Sequence, residues 1–286
     1  MSYHDRPSTA FSPLVKWGVV LAAAGAIGAI GYFLMGDKSD SHTFPESSTP
    51  VATQSAATPE ALTDKPVYDE PATTPAPQPL PELDQSDATV LTALKDLNVN
   101  GLVEMIIPQE ILRKFVRAVN VLDEGKVITE YRPVASPQGA FVADSFNVRV
   151  SGGELGEQQD AEQFRVSPKS YLRYTLFVQV ISALDSDSAV SLYRHYYPLL
   201  NRAHQELGMS KDNFHSVLIR AIDRVLAAPD ASGDLILIRP KVYFEFADPA
   251  LEKSPDVHKL MLRMGPDNSA KIKASLKNAR VKLLQK

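Results

Sequence analysis

Hydrophobic positions along this chain fall into three regimes, each predicting a different physical state. From Trp17 to Met35 nineteen residues pass without a charge. As a helix they span roughly 28 Å, the thickness of a bilayer's hydrocarbon core. Trp17 and Tyr32 put amphipathic rings near the two headgroup regions. A cleaved signal peptide is the competing reading, but its apolar stretch is normally shorter, and Gly31 to Gly36 has no small-x-small cleavage site. We therefore read residues 14–35 as a retained transmembrane helix behind a tail of residues 1–13. Arg6 and Lys16 precede the span, whereas Asp37, Asp40 and Glu46 outnumber Lys38 after it. The positive-inside rule then keeps the N-terminus in the cytoplasm and places the C-terminal part on the periplasmic side of a bacterial inner membrane.

The second regime, residues 36–82, has no apolar period. After Gly36 it carries nine prolines and no further glycine among Ser, Thr, Ala and acids. Such a stretch buries too little surface to offset chain entropy and is expected to be a disordered, proline-rich linker. It would reach up to about 140 Å stretched and about 40 Å as a coil.

Helical periods fill residues 83–286. Ser86 is placed to cap a helix with Val90, Leu91, Leu94 and Leu97 on one stripe, and Pro108 to open a second whose Ile111, Leu112, Phe115, Val116, Val119 and Leu122 face a core. Between Lys126 and Pro168 the period shortens, and Phe146–Val150 with Phe164–Val166 read as a small hairpin. Its acidic connection, Ser151 to Gln163, lacks calcium-loop spacing and reads as a solvated loop. Three helices follow: Ser167 to Leu184, Asp187 to Gly208 and Asp212 to Ala228. Pro198 inside the middle one is expected to kink or divide it. Leu235–Ile238 and Val242–Phe246 predict a second ribbon, in which Val242, Phe244 and Phe246 take the buried face. Pro255 and Pro266 open two final helices, the last with Ile272, Leu276, Ala279 and Leu283 in line. The fold class expected is mainly α: one transmembrane helix, a disordered linker, and a compact multi-helix domain with one or two small β-hairpins.

Charge changes the picture by region. The net charge of −4 arises in the linker, where two lysines face seven acids between Asp37 and Pro81, whereas Glu82 to the C-terminus balances 26 bases with 26 acids. A neutral domain argues against nucleic acid as a partner. With no cysteine, disulfides, thiolate metal sites and a cysteine nucleophile are excluded.

Several runs in this region resemble an uncharacterised bacterial family, domain-of-unknown-function family 3014. They are Pro79-Leu-Pro-Glu-Leu-Asp-Gln-Ser-Asp87, Leu192-Tyr-Arg-His-Tyr-Tyr-Pro-Leu-Leu200, Arg239-Pro-Lys-Val-Tyr-Phe-Glu-Phe-Ala-Asp-Pro249 and Arg263-Met-Gly-Pro-Asp-Asn268. The resemblance covers roughly residues 79–284. It implies a membrane-tethered domain of unknown role in Gram-negative-type bacteria and brings no catalytic residues.

No nucleophile elbow, phosphate loop, dinucleotide fingerprint or zinc helix motif is present, so no catalytic residue, metal or cofactor is expected. His195 and His204 stand nine apart, which is not the spacing of a helical metal pair. Arg239 and Lys241 flank a turn proline and could converge with Arg194 or Arg263 on an anion. Tyr197 belongs to a group with Tyr171, Tyr174, Tyr193 and Tyr196, suited either to a core edge or to a binding platform. The last helix carries Lys271, Lys273, Lys277, Arg280, Lys282 and Lys286 without an acid. The leading expectation is a non-enzymatic interaction module, bound to the inner membrane through residues 17–35, that recognises an envelope protein or an anionic wall component. The alternative is an anionic-ligand-binding or hydrolytic periplasmic domain using the Arg/Lys cluster.

Overall fold

The computed structural model describes residues 65–71, 79–151, 158–230 and 235–285, with the side chains of residues 148–161 left out. The predicted membrane span lies outside the described residues, as does most of the linker. Among the described residues no helix is long and apolar enough to cross a membrane.

After a single 3-10 turn at Leu83–Gln85 the helices begin with α1, Asp87–Lys95, α2, Leu102–Met105, and α3, Ile111–Asp123. A hairpin of β1, Ala143–Ser151, and β2, Gln158–Val166, leads to α4, Pro168–Leu172, α5, Thr175–Ala183, α6, Ser186–Leu207, and α7, Phe214–Leu226. Two short strands, β3 at Ile236–Ile238 and β4 at Glu245–Phe246, precede α8, Pro249–Glu252, α9, Asp256–Arg263, and α10, Pro266–Leu283.

The main core lies where α3, α6, α7 and α10 meet. Phe115 and Phe214 pack edge to face at 6.0 Å, and Val116, Leu200, Leu218 and Ile272 are fully buried around them. The three-and-four spacing of those residues puts each helix's apolar side chains on one stripe, and joining the stripes removes all of them from water.

Expected and observed elements differ where neighbours override local pattern. The Ser86 hydroxyl donates to the Leu83 carbonyl at 2.7 Å instead of capping α1. The second helix starts at Ile111 rather than Pro108, because the Asp87 carboxylate accepts from the amides of Glu110 and Ile111 at 2.7 and 2.8 Å. The expected Ser167–Leu184 helix breaks at Arg173 and Tyr174. Pro198 neither ends nor divides α6; it is exposed on a helix unbroken from Ser186 to Leu207.

The two expected ribbons form one antiparallel sheet in the order β1-β2-β3-β4. Phe164 pairs with Leu237 and Leu237 with Phe246, so one buried row crosses three strands and closes a second, smaller core with Leu262. The hairpin strands are longer than predicted, and Gln158 to Gln163 is strand rather than acidic loop. In the other ribbon Val242 is 76% exposed, because only Glu245 and Phe246 pair with β3.

Candidate functional site

The sequence candidates fall in two places. Arg239 and Arg263 meet around Phe244. Arg239 is exposed, its guanidinium carbon 5.3 Å from the Phe164 ring and 5.6 Å from the Phe244 ring. Arg263 is buried, donates to the Phe244 carbonyl at 2.8 Å and lies over Phe246 at 5.2 Å. Burial lowers its pKa, with Glu252 opposing that shift. Lys241 is exposed in the turn beyond Arg239.

Arg194 lies elsewhere, on α6, and donates to the carbonyls of Lys282, at 3.2 Å, and Gln285. It closes the C-terminal end of α10, whose last carbonyls lack helical partners. Tyr197, on the same helix, is buried with Tyr193 and Tyr196 in the core, so no tyrosine platform faces solvent there. Half of the basic stripe on α10 is likewise committed within the fold. Lys273 pairs with Asp230, Arg280 with Asp223 and Lys282 with Asp187, leaving Lys271 and Lys277 as exposed members of the stripe.

A different site was not legible in the candidates. Lys65–Pro71, within the stretch read as linker, lies outside any helix or strand, along the N-terminal half of α7. The Tyr68 amide donates to the Ser216 hydroxyl at 2.8 Å, and the Tyr68 carbonyl accepts from Ser216 at 3.1 Å and from Asn213 Nδ2 at 3.0 Å. Two residues back, the Pro66 carbonyl accepts from Arg220 Nη1 at 3.0 Å. An extended chain presents equivalent groups at every second residue. Residues three and four apart on α7 are therefore spaced to hold its main chain at alternate positions.

The holding side chains are themselves fixed from below. Arg220 makes a forked contact with Asp123, Nε to Oδ1 at 3.1 Å and Nη2 to Oδ2 at 3.0 Å, and its Nη2 also meets Asp212 at 2.9 Å. Both Arg220 and Asp123 are buried, and pairing of this kind is what makes buried charge tolerable. Asn213 caps α7 by accepting from the Ser216 amide at 2.8 Å. Lys65 reaches Asp123 at 3.2 Å, the Arg280 guanidinium bonds Asp223 within electrostatic reach of the Tyr68 phenol, and Glu70 lies within electrostatic reach of Tyr197. Burial and, after it, the Glu70 charge push the Tyr197 pKa up. Beneath Glu70, Tyr193 and His215 share a hydrogen bond of 2.9 Å, and burial pulls the His215 pKa down to about 4.

The profile of the family described as "Protein of unknown function (DUF3014)" matches residues 111–280. The chain belongs to domain-of-unknown-function family 3014, DUF3014. No curated protein and no solved structure matches it. The DUF3014 stretch opens at the first residue of α3 and closes within α10, so it holds Asp123, Asn213, Ser216 and Arg220 and leaves Lys65–Pro71 outside. The dipeptide Val67-Tyr68 inside a proline-rich run was the available signal for docking. Its partners on α7 are more than 140 positions away in sequence.

Proposed function

We propose that this DUF3014 protein is a non-enzymatic interaction module. It is carried on the periplasmic side of a bacterial inner membrane by residues 17–35 and recognises an envelope protein. The observation that carries this reading is the row of Asn213, Ser216 and Arg220, whose donors hold a polypeptide segment by its main chain at alternate residues, Pro66 and Tyr68. Recognition of an extended segment through alternate main-chain groups is a common mode of protein binding. The anionic-ligand alternative draws less support, since Arg194 and Arg263 donate to main-chain carbonyls.

Two measurements on the full chain in cells test this. Protease added to spheroplasts should digest the C-terminal domain, and a photo-crosslinking residue at exposed Lys211, beside the start of α7, should give a discrete adduct with another envelope protein. A domain shielded from protease, or crosslinks confined to the chain itself, would overturn the proposal.

A further inference from the structure

The face of α7 treats Lys65–Pro71 as a ligand, and we infer that it is a peptide-binding site for which this segment is the resident competitor. The partner is a segment of another protein, presented in extended form, with proline, tyrosine two positions on and a carboxylate two further on, as in Pro66-Val-Tyr68-Asp-Glu70. This rests on the interaction-module reading and names its surface and the chemistry it accepts.

Three features make the site a built one. First, two of the three holding side chains, Arg220 and Asn213, have one polar side committed to the domain and another turned to the segment, while the Ser216 hydroxyl gives both its bonds to Tyr68. Arg220 spends Nε and Nη2 on Asp123 and Asp212 and gives Nη1 to Pro66, while Asn213 spends its oxygen on the α7 cap and gives its nitrogen to Tyr68. The charges therefore remain paired when the segment leaves, and the face does not need to rebuild itself before taking a new occupant. Second, the segment contributes little to the core. Val67 is 67% exposed, and among residues 65–71 only Tyr68, which packs against the core, and Pro71 are half-buried. Third, the face is chemically selective along the chain. Asp123 takes a base at 3.2 Å, and Arg280 and Tyr197 lie within electrostatic reach of the Tyr68 phenol and the Glu70 carboxylate.

Only residues 72–78 separate the segment from the next described residue, Pro79. A short connection holds a ligand at an effective concentration of about millimolar. An incoming peptide must outcompete that, so the face opens to partners that bind more tightly or are themselves concentrated at the membrane.

The test uses the purified full chain in detergent and a fluorescein-labelled synthetic peptide of residues 63–73, read by anisotropy. Lys65→Ala with Tyr68→Ala in the chain should release the segment, seen as faster hydrogen exchange of residues 65–71, and tighten peptide binding at least tenfold over the unaltered chain. Adding Ser216→Ala should remove the gain. Asn213→Asp provides a second groove variant, because it keeps the oxygen that caps α7 and removes the donor to Tyr68. A peptide with alanine in place of tyrosine should bind at least tenfold more weakly. Peptide binding that does not improve once exchange shows the segment released would overturn the inference, as would a gain that survives both groove substitutions. So would loss of the cooperative thermal transition on release, which would make the segment part of the core. These measurements are independent of compartment, so their failure is distinct from failure of the spheroplast and crosslinking arms.

Discussion

Arg220 supports much of the buried polar structure of this domain. Its guanidinium binds two carboxylates and a main-chain carbonyl while only 7% of the residue meets solvent. Removing one partner of a buried pair leaves the other charge desolvated, which costs on the order of 3–5 kcal/mol. Arg220→Leu should lower stability by that order in urea unfolding, and adding Asp123→Leu should recover a large part of the loss. A single variant that matches the native midpoint would show that water reaches Asp123 freely. Gly265 illustrates a different constraint. Its φ of 87° is a conformation glycine accepts, and a Cβ there would stand 2.8 Å from the Tyr171 ring. The Arg263-Met-Gly-Pro run, visible in the sequence as a helix break, thus also sets the approach of α10 to Tyr171.

At the scale of elements, helix ends are decided by residues that are distant in sequence. Asp87 begins α1 yet caps α3, accepting from two amides that α3 leaves without partners. Asp87→Ala should destabilise the protein by about 1 kcal/mol, read as a lower urea midpoint with unchanged slope. A change within error would assign those amides to water instead. Pro198 shows the limit of a local rule. Proline lacks the N–H that would bond the Arg194 carbonyl, but its ring is exposed, while Tyr196, Tyr197, Leu199 and Leu200 beside it are buried. Packing of those neighbours outweighs one lost hydrogen bond, so α6 continues. The sheet follows the same logic. Alternation marks Phe244 and Phe246 as one face, but pairing of Phe164, Leu237 and Phe246 across strands ends β4 after two residues.

At the scale of the whole molecule, buried histidines couple stability to pH. His204 donates from Nε2 to the Asp212 carbonyl at 2.9 Å, so its Nδ1 accepts from Asn120 at 3.1 Å and the ring is held neutral. Burial lowers the pKa of His204 and brings that of His215 to about 4. Unfolded, both would take up protons near pH 6.5, whereas folded they resist until lower pH. Stability should be full above about pH 6.5 and fall as the pH drops below it, by about 1–2 kcal/mol from His215 by pH 5. Urea midpoints at pH 7.5, 6 and 5 measure this, and His215→Gln should flatten the curve. A midpoint constant over that range would mean that both rings protonate freely in the folded state.

Much of the helical domain was legible because burial leaves a periodic trace. The stripes of α3 and α10 each place apolar side chains at three and four, and prolines and glycines mark where the chain turns. Family membership could be read for the same reason, from short runs such as Arg263-Met-Gly-Pro that carry local backbone demands. Tertiary structure alone decided where the polar groups go. Charges and hydroxyls have no period, and Arg194, Asp87, Arg220 and Ser216 each find their partners far along the chain. The same holds for Lys65–Pro71. Its composition marks it as unable to form a core of its own, and only a folded α7 with donors at the spacing of an extended chain turns that stretch into a docked ligand.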